Sequence, residues 1–454
     1  MTKFIVTTIN PDNGQLTRLH YDNATSELTR ETGESLVQAV EVTERAHVPA
    51  VSRQTPLGKT SPRTLKISLG LSCNYECEYC SQRFVPRTVE TNPGDVQAFI
   101  DGLDAWVTSP PEKVEFWGGE PLVYIKTMRP LAEAIKAKFP KADLSVITNG
   151  SLLSDDINEW LDRMGFNVGI SHDGPGQHVR GPDPLKDSQQ RAAIMALYTR
   201  LAPQRRISFN AMVNRENVSR AAIQRFFIEL TGDHMVPIGE GSFVDAYDEG
   251  GIAHSLQPDE LHAYRNLAFH EIRTGQAANV QAVSSKTASF VNSIRSRRPA
   301  SSLGQKCGMD KSDSIAVDLR GNVLTCQNVS AASTAPNGQA HRIGHVSDLT
   351  AVKLDTATHW SKRGDCPNCP MLQICQGSCM FLEGPLWDRS CENAFSDAVP
   401  IFAAGFEFLT GLVPIYIDGP QRDDRKDIFG FLRSDQGNAV SPSAKRFPIR
   451  VVAA

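Results

Sequence analysis

The chain has 454 residues, room for two to four domains at about 100–200 residues each. Lys plus Arg number 47 against 51 Asp plus Glu, a net charge of −4 that argues against a nucleic-acid protein, which usually carries a basic excess. Mean hydropathy is −0.29, and no apolar run reaches the roughly 18–20 residues of a membrane span; the longest, 401–416, contains Glu407. The first residues, MTKFIVTTINPDNGQ, show no signal-peptide apolar region with a small-residue cleavage site. A cytoplasmic chain with neither a membrane nor a nucleic acid as partner is therefore expected.

Taken in chain order, residues 1–60 read as a small β-rich lobe. FIVTTIN reads as a strand, PDNG as a turn and QLTRLHY as a returning strand. GESLVQAVEVTERAH is expected as a short helix and VPAVSRQTPLGKTSPR as a linker. From residue 64 apolar strands alternate with amphipathic helices. Strands are expected at 65–71, 114–119, 142–150, 167–174, 206–214 and 235–244, with helices at 128–139, 154–165 and 219–232. That alternation predicts an α/β fold with a parallel sheet and right-handed crossovers. Six units instead of eight predict an open, partial (β/α)6 barrel over 61–296. Two further helices are expected at 257–274 and 284–296. A cysteine-rich domain over 300–395 and a tail over 396–454 follow; FAAGFEFL in the tail reads as a core-packing helix.

The ten cysteines are clustered. Cys73, Cys77 and Cys80 come first, then Cys307, Cys326, Cys366, Cys369, Cys375, Cys379 and Cys391. In a reducing compartment such clusters read as metal or redox ligands before disulfides. The first motif, CNYECEYC, directly follows the first barrel strand, where the loops of parallel α/β units carry function. Three thiolates hold three irons of a 4Fe–4S cluster and leave the fourth open. Structural zinc wants four ligands at paired spacings, and no fourth Cys or His lies nearby. Gly118-Gly119-Glu120-Pro121 ends the second strand; its glycines admit close approach and its Glu accepts from an ammonium group. Thr148-Asn149-Gly150 ends the third strand and Ser171-His172-Asp173-Gly174-Pro175 the fourth. By alternation His172 faces away from Ser171 and Asp173, which favours packing over catalysis. Glu240 and Asp245, at the end of the sixth strand, read as solvated charges.

These motifs resemble the radical S-adenosylmethionine (SAM) superfamily, whose signature is this three-cysteine spacing with an aromatic residue, here Tyr79, before the last cysteine. The resemblance implies a 4Fe–4S cluster on Cys73, Cys77 and Cys80 with SAM chelating its open iron. It implies reductive cleavage of SAM to methionine and a 5′-deoxyadenosyl radical that abstracts hydrogen from substrate. It further implies SAM contacts by Tyr79, Gly118, Gly119, Glu120, Asn149 and Ser171, and by Arg180 to the SAM carboxylate.

The seven later cysteines resemble the SPASM extension of such enzymes, which carries two auxiliary 4Fe–4S clusters. Carried over by position, Cys366, Cys369, Cys375 and Cys391 would hold one cluster, and Cys307, Cys326 and Cys379 the other, three clusters in all. About six residues before Cys307, where a fourth ligand sometimes stands, this chain has Ser301. That leaves an open iron or a non-cysteine ligand such as Asp310 or Asp313. SPASM enzymes act largely on peptides. The resemblance therefore implies a maturase that oxidatively modifies or cross-links a ribosomally made precursor peptide, with a flavodoxin- or ferredoxin-type electron donor. The lobe at 1–60 is expected to recognise a leader by strand addition. Sulfatase maturases carry an Asp after the cysteine at the place of Cys326; Gln327 cannot serve as a base. A sulfatase-type or small-molecule enzyme and a non-catalytic zinc protein are the alternatives.

Overall fold

The computed structural model describes residues 3–42, 45, 47–86, 91–355 and 357–432; the expected tail beyond Leu432 lies outside these. The first hairpin forms as its turn chemistry dictates. β1 (Lys3–Ile9) and β2 (Leu16–Asp22) pair antiparallel around a turn ending in Gly14 at φ 72°, and β3 (Glu27–Arg30) adds to β2. Alternation buries Phe4 and Val6 opposite Tyr21 and Leu19. The helix expected over 33–47 is absent among its described residues. Leu36 and Val37 pack on the core, but Val40 and Val42 are exposed, and a short helix without a packed face is marginal.

After the short β4 (Leu57–Gly58), six strands pair parallel in chain order. They are β5 (Thr64–Ser68), β6 (Lys113–Trp117), β7 (Asp143–Thr148), β8 (Asn167–Ser171), β9 (Ile207–Val213) and β10 (Ile238–Phe243). The crossovers hold α1 (Pro93–Gly102), α2 (Ile125–Lys138), α3 (Asp155–Arg163), α4 (Gln177–Arg180), α5 (Ser188–Leu201) and α6 (Arg220–Thr231). Leu65, Ile67, Val114, Phe116, Leu144, Val146, Val168 and Ile170 alternate onto the buried face.

The sheet does not end at β5. β11 (Ser314–Asp318) pairs parallel with it, and β12 (Asn322–Leu324) and β13 (Arg342–His345) extend it antiparallel, giving nine strands. The cysteine-rich segment is therefore continuous with the barrel sheet. Beyond β10 run α7 (Glu249–Ala253), α8 (Leu261–Arg273) and α9 (Gln281–Ser296). β14 (Lys353–Leu354) pairs with β4, and is followed by α10 (Leu372–Cys375) and the 27-residue α11 (Gly384–Thr410). β15 (Val413–Asp418) then pairs antiparallel with β1, so lobe and tail share one four-stranded sheet.

The FAAGFEFL stretch packs as expected: Phe402 meets both Tyr21 and Phe290 in the core. No helix among the described residues is long and apolar enough to cross a membrane. Buried ion pairs tie α11 to the barrel helices. Asp397 bonds Arg220, Tyr264 at 2.8 Å and Lys286 at 2.8 Å, and Glu407 pairs with Arg273 at 3.0 Å. Burial opposes the Asp397 charge, but Arg220 and Lys286 outweigh it and hold the carboxyl below the usual range. Asp397→Ala strands a buried guanidinium, and we expect a loss of about 3–5 kcal/mol in urea unfolding. Because the folded pKa is depressed, this stabilisation is present above the unfolded value near 3.9 and is lost as pH falls below it. Stability measured against pH should accordingly fall less steeply below about pH 4 in Asp397→Asn.

Candidate functional site

The carboxyl ends of the parallel strands meet at one rim. The chain leaves β5 through Gly70, at φ 135°, and its backbone lies against the end of β6. Gly119 N donates to Gly70 O and Glu120 N to Ser72 O, both at 3.0 Å, while Ser72 N donates to Tyr124 Oη at 2.7 Å. A Cβ on Gly118 would stand 2.8 Å from Gly70 O, and one on Gly119 2.5 Å from Ser72 O. The close approach these glycines allow is first of all that of the cysteine loop. Glu120 is buried and braces the rim: Oε1 accepts from Leu122 N at 3.0 Å and Thr148 Oγ1 at 2.7 Å, Oε2 from Asn149 N at 2.7 Å. Burial raises its pKa, and the three donors pull it back. The Asn149 side chain donates to Asn74 Oδ1 at 2.8 Å, next to Cys73, and Ser171 stands half-buried at the end of β8.

Cys73 is exposed and Cys77 and Cys80 half-buried. Cys73 Sγ accepts from Tyr75 N and Cys80 Sγ from Gln82 N, each at 3.4 Å, bonds of the kind that tune a cluster sulfur. Burial pushes the Cys77 thiol up to about 12, with Arg180 working against it. Arg180 Nη2 donates to Asp173 Oδ1 at 2.7 Å, and its guanidinium lies 5.7 Å from the Tyr79 ring centre. Tyr79 Oη also bonds Asp173, which accepts from Met212 N at 2.8 Å. Asp173 thus binds β9, Arg180 and the cysteine loop together, a role the sequence reading did not assign it. His172 packs: it is buried, stacked on Phe226 at 5.4 Å, with Nε2 3.0 Å from Asp183 Oδ1.

Cys366, Cys369, Cys375 and Cys391 line one small cavity, with Asp365, Leu372, Gly377, Phe395 and Arg425. Burial pushes Cys369 up to about 12 and Cys391 to about 11, and Arg425 pulls both down. Its Nη2 is 3.7 Å from Cys391 Sγ, and its guanidinium sits 3.8 Å from the Phe395 ring centre. Asn23, from the lobe, donates to Cys369 O at 2.7 Å and Pro367 O at 3.1 Å. The tail therefore lines this cavity through Arg425, and the lobe holds the backbone at 367 and 369. Three consecutive left-handed residues, Gln376 (φ 54°), Gly377 (φ 80°) and Ser378 (φ 57°), separate Cys375 from Cys379. Such geometry costs of order 1–3 kcal/mol at each non-glycine position and persists only where surroundings fix it.

Beyond that turn lie Cys379, Cys326 and Cys307. Burial pushes Cys379 up to about 12 and Cys326 to about 11, and the neighbouring thiols, with Asp245 beside Cys379, add to the rise. The loop after Cys307 is fixed by Lys59, whose Nζ donates to the carbonyls of Met309, Lys311 and Ser314 at 2.8, 2.8 and 2.9 Å. Asp310 Oδ2 accepts from Gln305 N at 2.7 Å, and Asp313 pairs with Arg63 at 3.4 Å. Glu240 is exposed as expected, but Asp245 is not a solvated charge: it accepts from Ser378 Oγ at 2.9 Å. A polar face missed by the sequence reading also points here. Lys66 and Glu115 are cross-strand partners 3.7 Å apart, and Lys66 Nζ lies 3.4 Å from Gln327 Oε1 and 5.7 Å from the Trp117 ring centre. Polar residues alternating within the apolar LKISLGL and VEFW were the available signal.

Residues 67–215 match the radical SAM superfamily. This segment is a radical SAM domain. More particularly, the chain is 22% identical to the serine-type anaerobic sulfatase-maturating enzyme of Klebsiella aerogenes over 68% of its own length and 78% of that protein's. It is 25% identical over 174 residues to the radical SAM cyclopropyl synthase TigE of Paramaledivibacter caminithermalis, covering 34% of this chain and 36% of TigE. Among solved structures, native anSMEcpe with bound AdoMet and Cp18Cys peptide shares the fold, with a TM-score of 0.53 at 18% identity over 76% of this chain and 99% of that one. A radical SAM domain implies a 4Fe–4S cluster and SAM, and three thiols on one clamped loop at the strand ends fit that group. Among the described residues no three His, Cys, Asp or Glu side chains converge on the single point that an isolated ion needs. Gly119→Ala is expected to push the Ser72 carbonyl aside, lowering both thermal stability and the iron retained on reconstitution. Gly102→Ala, helical at φ −77° with nothing within 4 Å, should stay within about 1 kcal/mol of the unaltered chain in the same unfolding assay.

Proposed function

We propose that this chain cleaves SAM reductively and oxidatively modifies or cross-links residues of a ribosomally made peptide, using three 4Fe–4S clusters. The observation that carries this reading is the sorting of ten cysteines into three places: the loop after β5, the cavity beside α10, and the far side of the 376–378 turn. Cys73, Cys77 and Cys80 serve SAM; Cys366, Cys369, Cys375 and Cys391 hold one auxiliary cluster; Cys307, Cys326 and Cys379 hold the other. A 4Fe–4S cluster held by Cys73, Cys77 and Cys80 would supply the one electron for reductive cleavage of SAM, and the 5′-deoxyadenosyl radical so formed would take hydrogen from the substrate. The chain's own residues then orient and shield. The rim formed by Gly118, Gly119, Glu120, Asn149 and Ser171 offers the contacts to SAM, and Tyr79 closes the loop onto Asp173. Arg180, held by Asp173, keeps a positive charge beside Cys77. Lys66 presents an ammonium group on the barrel face between the rim and Cys326.

A precursor peptide and a flavodoxin- or ferredoxin-type donor are the partners, in the cytoplasm. The peptide in the anSMEcpe structure supports that substrate class. Because β1 is flanked by both β2 and β15, strand addition by a leader falls to the outer strands β3 and β15. Likeness to sulfatase maturases favours a second reading, formylglycine formation, against which stands Gln327 in place of a carboxylate.

Anaerobic reconstitution should give about twelve irons per chain. Replacing Cys73, Cys77 and Cys80 together by Ala should leave about eight and abolish 5′-deoxyadenosine formation. A folded triple variant that still forms it at the unaltered rate overturns the assignment. A sulfatase-derived Cys or Ser peptide should emerge unchanged; its efficient conversion to formylglycine would establish the second reading instead.

A further inference from the structure

The cysteines run out one short. With four thiols around the cavity beside α10 and three on the loop after β5, only Cys307, Cys326 and Cys379 remain for the last cluster, and one of its irons has no cysteine. A carboxylate oxygen is a competent iron ligand where a thiolate is missing. Three aspartates stand near these thiols: Asp310, Asp313 and Asp245. Asp313 is turned outward to Arg63, with both side chains well exposed. Asp310 has Oδ2 engaged by Gln305 N at 2.7 Å, and its Oδ1 is buried without a hydrogen-bond partner. Cys307 is exposed and Cys326 and Cys379 are half-buried.

Asp245 differs. It follows β10, the last parallel strand, and its side chain keeps 15% of its surface exposed. Its two oxygens bond the residues that immediately precede Cys379 and Cys307. Oδ1 accepts from Ser378 Oγ at 2.9 Å, and Ser378 immediately precedes Cys379. Oδ2 lies 3.4 Å from Lys306 Nζ, and Lys306 immediately precedes Cys307. The backbone carrying Asp245 is pinned to α11: Ala246 N donates to Ser390 Oγ at 2.6 Å, and Asn393 Nδ2 donates to Val244 O at 2.9 Å. The carboxylate is thus held from a rigid element.

We propose that Asp245 supplies the oxygen ligand that completes the cluster held by Cys307, Cys326 and Cys379. The assignment rests on the three-cluster reading above. Coordination replaces a solvent ligand on iron by a carboxylate oxygen, with no change of oxidation state. It ties the sixth barrel strand to the cysteine-rich segment through iron. It also leaves the cluster closed to substrate, so that its service is electron transfer.

The test uses the full reconstituted chain with saturating SAM, which occupies the open iron beside Cys73, Cys77 and Cys80, and cyanide as the probe of any other open iron. The reduced unaltered protein should show an EPR spectrum that cyanide does not change. Asp245→Ala should either keep about twelve irons and gain a cyanide-dependent signal, or fall to about eight with circular dichroism unchanged. Asp245→Cys should in both cases carry about twelve irons, resist cyanide, and move the midpoint potential of one cluster to more negative values, because a thiolate replaces an oxygen ligand. Asp310→Asn should match the unaltered protein. A cyanide-dependent signal in the unaltered protein overturns the proposal. So does an Asp245→Ala protein with twelve irons and no such signal, or an Asp245→Cys protein that restores neither iron nor resistance. An iron count near eight in the unaltered protein removes the cluster itself, and fails the underlying reading instead.

Discussion

The rim depends on one constraint: two backbone segments, 70–72 and 118–120, must lie in direct hydrogen-bonding contact. Any side chain at 118 or 119 would intrude between them, since its first carbon would meet a carbonyl oxygen within 3 Å. Glu120 then turns the contact into a frame. Its carboxylate is buried among donors from the ends of β6 and β7, so three successive strand ends are locked at fixed spacing before any ligand arrives. A buried carboxylate is tolerable only when its lone pairs are used in this way. The cysteine loop inherits its position from that frame, and the Tyr79–Asp173–Arg180 group fastens its far end.

A second constraint comes from the shared sheet. Because β11 pairs with β5, the strand that launches the first cysteine loop is also the strand on which the cysteine-rich segment is built. Distances between the strand-end rim and the later cysteines are therefore set through backbone hydrogen bonds. Lys66 lies on this same strand, between Glu115 and Gln327, so the charge it carries is placed with equal rigidity. The left-handed run at 376–378 does the complementary work, sending neighbouring cysteines to different places with only three residues between them.

Much of this was legible in the amino-acid order, and the parts that were not share a cause. The six parallel strands announced themselves because buried strands are continuously apolar. The cysteine spacings were readable because metal chemistry constrains local intervals. Helix α5 escaped because SQQRAAIMALYTRL spreads its polar residues around the helix, and its start is marked only by the Asp187 cap. The joining of β15 to β1, of β11 to β5 and of Asp245 to the cysteine neighbours escaped for another reason. Each is a long-range pairing, and periodicity within a window carries no information about which distant strand will be the partner. The helix expected at 33–47 failed for want of a surface to pack on, which is also a tertiary fact.

The cavity formed by Cys366, Cys369, Cys375 and Cys391 has walls and supports that are made at very different times. Asn23, 346 positions before the Cys369 carbonyl it binds, leaves the ribosome early; Arg425, which caps the same cavity, leaves late. The β1 strand likewise waits for β15 before its second edge is covered. The first cysteine loop waits less, because its clamps at 118–124 and 173–180 follow within about a hundred residues and only outer contacts, such as Glu78 with His254 and Gln82 with Asn328, come later. The two places are therefore completed in sequence, the loop after β5 first and the cavity beside α10 only once the chain beyond residue 425 has emerged, so a nascent chain stalled before that point would hold an open cavity with its exposed edge strand still unpaired.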